Sequence, residues 1–197
     1  MELILASASA RRAEILRNAG FRFEICPADV DETRLPNEPA EDYVLRLARE
    51  KARIAAEKVG DTGSSAIIIA ADTAVALGTH IFGKPSSLED ARSMLRTLSG
   101  QTHQVFTGVA VLRRPEKRGV SMVEITKVAF AELLQSEIDT YLATGEPFDK
   151  AGAYAIQGIG GRYVTGIEGC YFNVMGLPLA RLWSTLRSLG WTGATNS

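Results

Sequence analysis

The order of apolar and polar positions along the chain predicts strands and helices that alternate from the N-terminus. An apolar run at 3–6 predicts a strand, and Ser9 is placed to cap a helical pattern that follows it. Residues 22–26 alternate as a short strand, and the acidic, proline-bearing segment 27–39 predicts a loop. The chain therefore opens as a strand, a helix, a strand and a loop.

The next segment, 40–59, predicts a long helix because neither Gly nor Pro interrupts it. At about 100° per residue its charged positions share one side. They are Arg46, Arg49, Glu50, Arg53 and Glu57. Lys51 lies within the opposite, apolar arc. Such a lysine extends to solvent, pairs with a buried acid or reaches into a cleft, and the pattern does not choose among these.

The run 66–71 predicts a strand buried on both faces, because it contains only Ile and Ala. We expect this strand to end at Asp72 and a second short strand to follow at 74–77. Ligands in α/β proteins bind beyond the carboxyl ends of such strands, so Asp72 is a candidate cation ligand or proton acceptor. The alternative is a turn cap in which Thr73 shares local hydrogen bonds.

Three further helices and a hairpin complete the predicted elements. Ser86 with Glu89 resembles a capping box, Ser136 predicts the start of a shorter helix, and the segment 177–189 predicts the last helix, before a polar tail at about 190–197. The alternating runs 104–113 and 120–131 flank a proline- and glycine-bearing turn and predict an antiparallel hairpin.

Composition narrows the class of protein. The chain has 197 residues, 22 Lys and Arg against 23 Asp and Glu, and 46% hydrophobic residues, which indicates a globular fold and excludes disorder. The absence of a basic excess argues against duplex nucleic acid as a partner. No apolar run approaches the roughly 20 residues of a membrane span, and the N-terminus lacks a signal pattern, so we expect a cytoplasmic protein. Cys26 and Cys170 are expected to be free thiols.

Candidate anion-binding groups lie at two junctions. Ser7, Arg11 and Arg12 fall where the first strand meets the first helix, and arginines in a first helical turn oppose the helix dipole unless an anion is near. Lys84 follows Gly83 in a segment that matches a phosphate-binding loop until Pro85, which lacks the required hydroxyl. Lys84 is therefore either a phosphate ligand on a rigid turn or a solvated lysine.

Two further polar side chains are candidates of a different kind. Glu32 in the acidic loop is either a second carboxylate of a metal site or a solvated residue. Gln157 stands beside glycines that let a flat ligand approach, so its amide either faces a nucleobase edge or is bonded inside its own loop. His80 and His103 have no partner at a spacing that indicates covalent catalysis.

Six motifs, taken together and in order, resemble the Maf family of nucleoside triphosphate pyrophosphatases. They are SASARR, LAREKA, AADT, GKP, LSGQTHQVFTG and DKAGAYAIQG, and the last resembles the branch that acts on dTTP and UTP. The resemblance implies one domain over 1–197 with an elongated, bilobal α/β fold of the inosine-triphosphatase-like kind, in which a mixed sheet with flanking helices forms two lobes around a central cleft. It also implies a divalent cation, Mg²⁺ or Mn²⁺, a homodimer and a cytoplasmic location.

The resemblance also implies a role for each candidate residue. Asp72 would be the general base that directs water to the α-phosphorus, and Glu32 would join it as a metal ligand. The residues that would contact the nucleoside triphosphate are Ser7, Arg11, Arg12, Lys51, Thr73, Lys84 and Gln157. Within this set Arg11, Thr73 and Gln157 would select the substrate. The alternatives are a pyrophosphatase acting on 7-methyl-GTP or with broad specificity, and a nucleotide-sensing regulator of cell division.

Overall fold

The structure of the protein, a computed structural model, describes residues 1–60, 65–116 and 118–193. Its strands are β1 (Glu2–Leu5), β2 (Glu24–Ile25), β3 (Ala66–Leu77), β4 (His80–Phe82), β5 (Thr102–Arg114), β6 (Arg118–Phe130) and β7 (Val164–Glu168). Its α-helices are α1 (Ala10–Asn18), α2 (Ala40–Val59), α3 (Leu88–Leu98), α4 (Gln135–Leu142), α5 (Tyr171–Val174) and α6 (Leu179–Ser188). Short 3-10 helices lie at Glu146–Asp149, Ala151–Ala153 and Ile159–Tyr163.

The strands of the described residues form one seven-stranded sheet in the order β2-β1-β3-β5-β6-β7, with β4 paired to β3. β1 is parallel to both β2 and β3, whereas the β3–β4 and β6–β7 pairs are antiparallel. The sheet is therefore mixed, which confirms the predicted α/β class.

The chain divides into two compact units. The first comprises Met1–Asp72, Thr107–Glu124 and Gly176–Ser197, and the second comprises Thr73–Phe106 and Ile125–Met175. No helix in the described part of the chain is both long enough and apolar enough to cross a membrane. Cys26 and Cys170 are both free thiols, as predicted.

Small residues hold helix α2 against the sheet of the first unit. The buried cluster contains Ala48, Ala52 and Ala55 of the helix and Ile68 of β3. Gly108 of β5 is required by this close packing, because a Cβ there would lie 2.3 Å from the carbonyl oxygen of Val44. This close packing fixes the position of the helix, and with it the positions from which long side chains on its inner face extend.

The second unit has a more aromatic core. It includes Phe82, Phe130, Tyr141 and Tyr154, which pack with apolar residues of α3, β5 and α4. His103 is enclosed in this core, and its ring meets the rings of Phe130 and Tyr154 edge to face. The second unit thus has a hydrophobic core of its own.

Several predicted elements match the structure closely. Helix α2 has the predicted bounds, 40–59, and Ser9 accepts a hydrogen bond from the Arg12 N–H, which confirms it as the cap of α1. Strands β5 and β6 are the arms of the predicted hairpin, although each is longer than expected. The last helix is shorter than predicted. Residues 117 and 194–197, within the predicted turn and tail, lie outside the described residues.

Three local predictions were wrong. Strand β3 does not end at Asp72 but continues to Leu77, because a buried lysine described below neutralises the carboxylate within the strand. Helix α3 is capped by Ser87 instead of Ser86. Helix α4 begins at Gln135, before Ser136, because the Glu137 carboxylate accepts the N–H that precedes the helix.

Candidate active site

Lys51 binds two carboxylates at once. Its Nζ donates to Asp72 Oδ1 at 2.6 Å and to Glu32 Oε1 at 2.7 Å. Lys51 and Asp72 are only 8% and 9% exposed, whereas Glu32 is exposed. Of the three alternatives for Lys51, the structure therefore shows pairing with a buried acid. Breaking such a pair costs far more than breaking a surface pair, because it leaves a buried charge uncompensated.

A second buried cation lies close enough to act on the same acids. The Arg12 guanidinium donates from Nε to the carbonyl oxygen of Gly176 at 2.8 Å and from Nη1 to Ser7 Oγ at 3.1 Å. Burial lowers the pKa of Arg12, and Arg11 lowers it further, while Asp72 and Glu32 oppose both effects. The two carboxylates together carry one negative charge more than Lys51 can neutralise. Arg12 offsets this remaining charge.

The junction of β1 and α1 positions Ser7 and Arg12. Ser7 Oγ accepts the backbone N–H of Ser9 at 3.2 Å as well as the guanidinium, so its hydroxyl is oriented from two sides. The first turn of α1 holds Arg11 and Arg12 but no acidic residue, and Arg11 remains half-buried. The helix dipole adds to this positive potential, and the junction is suited to an anion.

Helix α2 also holds the acidic loop that carries Glu32. Arg46 binds the Glu38 carboxylate through Nε at 2.6 Å and Nη2 at 2.9 Å, and its Nη2 reaches the carbonyl oxygen of Thr33 at 3.1 Å. Tyr43 donates its hydroxyl to the carbonyl oxygen of Glu32 at 2.9 Å. The loop is therefore attached to the helix at the backbone of Glu32 and at two residues that follow it.

Tyr43 and Arg46 are supporting residues that the sequence analysis missed. Burial raises the pKa of Tyr43 to about 12, and the negative charges of Asp72 and Glu32 contribute, so the phenol stays protonated at neutral pH and can donate. Helical periodicity placed Arg46 correctly on the polar face of α2, but no spacing rule indicates which loop atoms that face contacts.

In the second unit, Lys84 is exposed and has no hydrogen bond or ion pair with any other residue that the structure describes. It is the second residue after β4, and the carbonyl oxygen of the intervening Gly83 accepts the N–H of Gly152 at 3.1 Å. The backbone before Lys84 is therefore fixed, while its ammonium is available to a ligand. Thr73, which follows Asp72 in β3, is half-buried.

Gln157 is also exposed, in the segment between two 3-10 helices. Its amide makes no hydrogen bond within the described ranges, so the alternative of an amide used inside its own loop is not observed. Both polar groups of this amide are available to an external partner. That is the condition for reading a nucleobase edge, which presents donors and acceptors side by side.

The carboxylates of Asp72 and Glu32 are the candidate metal ligands. No group of three or more His, Cys, Asp or Glu side chains in the described residues is arranged to hold a metal ion. Mg²⁺ typically takes one or two carboxylates and completes its shell with water and substrate phosphates, so a pair of acids beside an anion-binding junction fits it.

Comparisons with known proteins cover nearly the whole chain. The family model described as "Maf-like protein" matches residues 2–189. A dTTP/UTP pyrophosphatase of Anaeromyxobacter dehalogenans is 53% identical over 190 residues, which cover 95% of this chain and 94% of that protein. A dTTP/UTP pyrophosphatase of Carboxydothermus hydrogenoformans is 49% identical over 191 residues, covering 97% and 100%.

One solved structure, of the Staphylococcus aureus Ham1 protein, aligns with a TM-score of 0.46 at 12% identity and covers 96% of this chain and 100% of that one.

Proposed function

The chain belongs to the Maf-like protein family, and from that membership we propose that it is a nucleoside triphosphate pyrophosphatase that hydrolyses dTTP and UTP. The products are the nucleoside monophosphate and diphosphate. Relatives of about half-identical sequence, named dTTP/UTP pyrophosphatase, support the substrate. The observation that carries the chemistry is the group in which the buried Lys51 joins the buried Asp72 and the exposed Glu32.

Cationic and hydroxyl groups account for binding of the triphosphate. In this proposal Ser7, Arg11 and Arg12 receive phosphate oxygens at the start of helix α1, where the dipole favours negative charge. Arg12 is held by Gly176, so its position is set before the substrate arrives. A preset charge does not have to be reorganised during reaction, which is the main source of electrostatic catalysis.

Lys84, Thr73 and Gln157 keep the substrate-binding roles that the motif resemblance implies. The Lys84 ammonium has no partner among the described residues, which supports a phosphate contact. The Gln157 amide likewise has none in the described ranges, which supports contact with the uracil or thymine edge. Arg11 and Thr73 take part in substrate selection in the same proposal.

Asp72 and Glu32 would hold a divalent cation, Mg²⁺ or Mn²⁺. Such a cation, when bound, supplies positive charge to the triphosphate oxygens and lowers the cost of charge that develops on them. Within the described residues no third His, Cys, Asp or Glu side chain joins these two, and one or two carboxylates are the protein ligands that Mg²⁺ usually takes.

Asp72 acts as the general base. It takes a proton from a water molecule while the water oxygen bonds to the α-phosphorus, and the bond from that phosphorus to the bridging oxygen breaks. The leaving group is pyrophosphate. Lys51 orients the Asp72 carboxylate through its 2.6 Å hydrogen bond, and Arg12 offsets negative charge nearby.

A direct assay tests this function. Wild-type protein with Mg²⁺ is expected to release pyrophosphate from dTTP and UTP much faster than from CTP or 7-methyl-GTP. Asp72→Asn should lower kcat by about 10²–10⁴-fold, the usual contribution of a general base, while the fold is retained. Asp42→Asn, at an exposed position in α2, is the matched control and should keep full activity.

Each alternative has its own result in this assay. Preference for 7-methyl-GTP would overturn the substrate assignment, and similar rates with all four nucleotides would indicate a pyrophosphatase of broad specificity. No pyrophosphate release from any nucleotide would favour the nucleotide-sensing regulator. Near wild-type activity of Asp72→Asn would show that the base is another group.

A homodimer and a cytoplasmic location remain part of the proposal, on the motif resemblance alone. Sedimentation of the purified protein measures the first, and imaging of a tagged chain in its own cell measures the second.

A further inference from the structure

The loop that carries Gln157 closes around one carboxylate. Glu146 Oε2 accepts the N–H of Ile159 at 2.9 Å, and Glu146 Oε1 accepts the N–H of Gly160 at 3.0 Å and the Tyr141 hydroxyl at 2.7 Å. Hydrogen bonds to an ionised acceptor are stronger than neutral ones. Three of them on a single side chain make Glu146 the main attachment of this loop.

The glycines of the loop are needed for this close approach. A Cβ on Gly158 would lie 2.0 Å from Glu146 Oε2, and one on Gly160 would lie 2.4 Å from the Tyr141 hydroxyl oxygen. Gly158 has a φ of −107°, which any residue adopts, so space and not backbone conformation requires glycine there. The loop therefore lies directly against Glu146 and Tyr141.

The attachment holds both sides of Gln157. The Tyr141 hydroxyl accepts the N–H of Ala155 at 3.2 Å, before Gln157, and the Glu146 carboxylate accepts N–H groups after it. Tyr141 is fully buried in α4, so the hydroxyl itself is fixed. The Gln157 amide makes no hydrogen bond of its own with the described residues, so this backbone frame fixes the point from which its side chain extends.

The carboxylate is maintained in the form that accepts these bonds. Burial by itself raises the pKa of Glu146, but the hydrogen bonds from Gly160, Tyr141 and Ile159 outweigh it and bring the pKa below its ordinary value. At neutral pH Glu146 is therefore ionised and offers acceptors only.

We infer that Glu146 is a positioning residue for nucleobase selection, because it fixes the loop from which Gln157 meets the base. The inference rests on the proposed function, in which Gln157 contacts uracil or thymine. Glu146 touches no substrate. Its effect passes through the backbone of 155–160, and a small displacement there moves the amide away from the donor and acceptor pattern that distinguishes uracil from cytosine.

Glu146→Gln is the main test, because it keeps size and removes charge. Its amide nitrogen cannot accept an N–H, so at least one of the three bonds is lost. The expected result is a fall of about tenfold in the ratio of kcat/KM for UTP to that for CTP, mostly through a higher KM for UTP. Gln157→Ala should lower the same ratio.

Two further variants complete the test. Glu137→Gln is the matched control, because that carboxylate accepts the Leu134 N–H at the start of α4 and makes no hydrogen bond to the described residues 155–160; it should leave the ratio unchanged. Tyr141→Phe keeps the ring but removes both the donor to Glu146 and the acceptor of the Ala155 N–H, so it should lower the ratio as well. If Glu146→Gln does not fold, the UTP-to-CTP ratio of Tyr141→Phe tests the inference instead.

Amide hydrogen exchange gives a readout that does not depend on activity. The peptide containing Ile159 and Gly160 should exchange faster in Glu146→Gln than in wild type or Glu137→Gln. Faster exchange in Glu146→Gln with an unchanged UTP-to-CTP ratio would overturn the inference. An equal loss of kcat/KM for both nucleotides would also overturn it, because that result indicates a structural role alone. In either case, continued release of pyrophosphate from dTTP and UTP by the wild type would leave the proposed function standing. An unchanged ratio in Gln157→Ala would also overturn the inference.

Discussion

Lys51→Met offers the sharpest test of the candidate metal site. Methionine replaces the aliphatic stem of the lysine in its buried position and removes the ammonium that Asp72 and Glu32 share. The two carboxylates are then left facing each other. We expect Lys51→Met to be less stable than wild type without a divalent cation and to bind Mg²⁺ more tightly.

The size of the effect follows from the two hydrogen bonds. Each carboxylate oxygen lies within 2.7 Å of the same nitrogen, so the two oxygens are at most about 5.4 Å apart. Two unit charges at that distance repel by about 1–3 kcal/mol for an effective dielectric constant between roughly 80 and 20. The exposure of Glu32 favours the lower part of this range. In Lys51→Met a bound cation relieves this repulsion and does not have to displace an ammonium. Its affinity should therefore be about tenfold higher than in wild type.

Thermal unfolding with and without Mg²⁺, in the absence of nucleotide, measures this directly. Added Mg²⁺ should raise the Tm of Lys51→Met more than that of wild type, because a ligand stabilises the folded state according to its affinity. Lys58→Met is the matched control from the last turn of the same helix, where the ammonium donates to the carbonyl oxygen of Pro27 and binds no carboxylate of the described residues. Titration calorimetry gives the two Mg²⁺ affinities.

The reasoning fails if Lys51→Met binds Mg²⁺ no more tightly than wild type does. That outcome would mean that Asp72 and Glu32 are not ligands of the cation and that Lys51 serves only to neutralise a buried acid. Lower kcat alone would not rescue the assignment, because loss of the lysine also releases the orientation of Asp72.

The remaining predictions concern stability and loop position. The pKa of His103 falls to about 4 through burial, so between about pH 6.5 and 4 only the unfolded state binds its proton and folding stability is lost as pH falls. Between pH 7 and 5, urea unfolding should show about 2 kcal/mol more loss in wild type than in His103→Gln. The exposed His80→Gln is the control, and equal pH dependence in all three would contradict the assignment. Tyr43→Phe, which frees the carbonyl oxygen of Glu32, should weaken Mg²⁺ binding several-fold in calorimetry while costing about 1 kcal/mol of stability; unchanged affinity would refute the supporting role. Gly158→Ala should cost about 1–3 kcal/mol in urea unfolding, because its Cβ collides with the carboxylate that the loop encloses, and no loss would mean that the loop relaxes freely.

Regular periodicity accounts for the parts of the fold that the sequence predicted well. The bounds of helix α2 followed from a helix-forming pattern that no Gly or Pro interrupts before Gly60. The same pattern placed Lys51 on the buried face but left three alternatives, because periodicity gives the face of a helix and not its partners. Those partners, Glu32 and Asp72, come from a loop and a strand whose approach depends on tertiary packing.

Tertiary contacts also explain the errors. Asp72 suggested the end of a strand because an isolated charge is costly inside a sheet, and its lysine partner removes that cost. The glycines around Gln157 suggested room for a ligand. In the structure Gly158 and Gly160 make room for Glu146 and Tyr141, which lie too far away in sequence for any short motif to connect.

Helix α2 fixes the spacing between side chains that contact the candidate site. Three of its side chains contact the acidic loop or Asp72, namely those of Tyr43, Arg46 and Lys51. The directions of these side chains relative to one another are fixed by the helix, which turns about 100° and rises about 1.5 Å per residue. One residue inserted between Arg46 and Lys51 would turn the ammonium out of the buried face while the acidic loop stayed attached. We therefore expect natural relatives to have no insertions or deletions between Arg46 and Lys51 and to vary in length elsewhere. The positions of such length changes would then show which residue spacings the reaction requires.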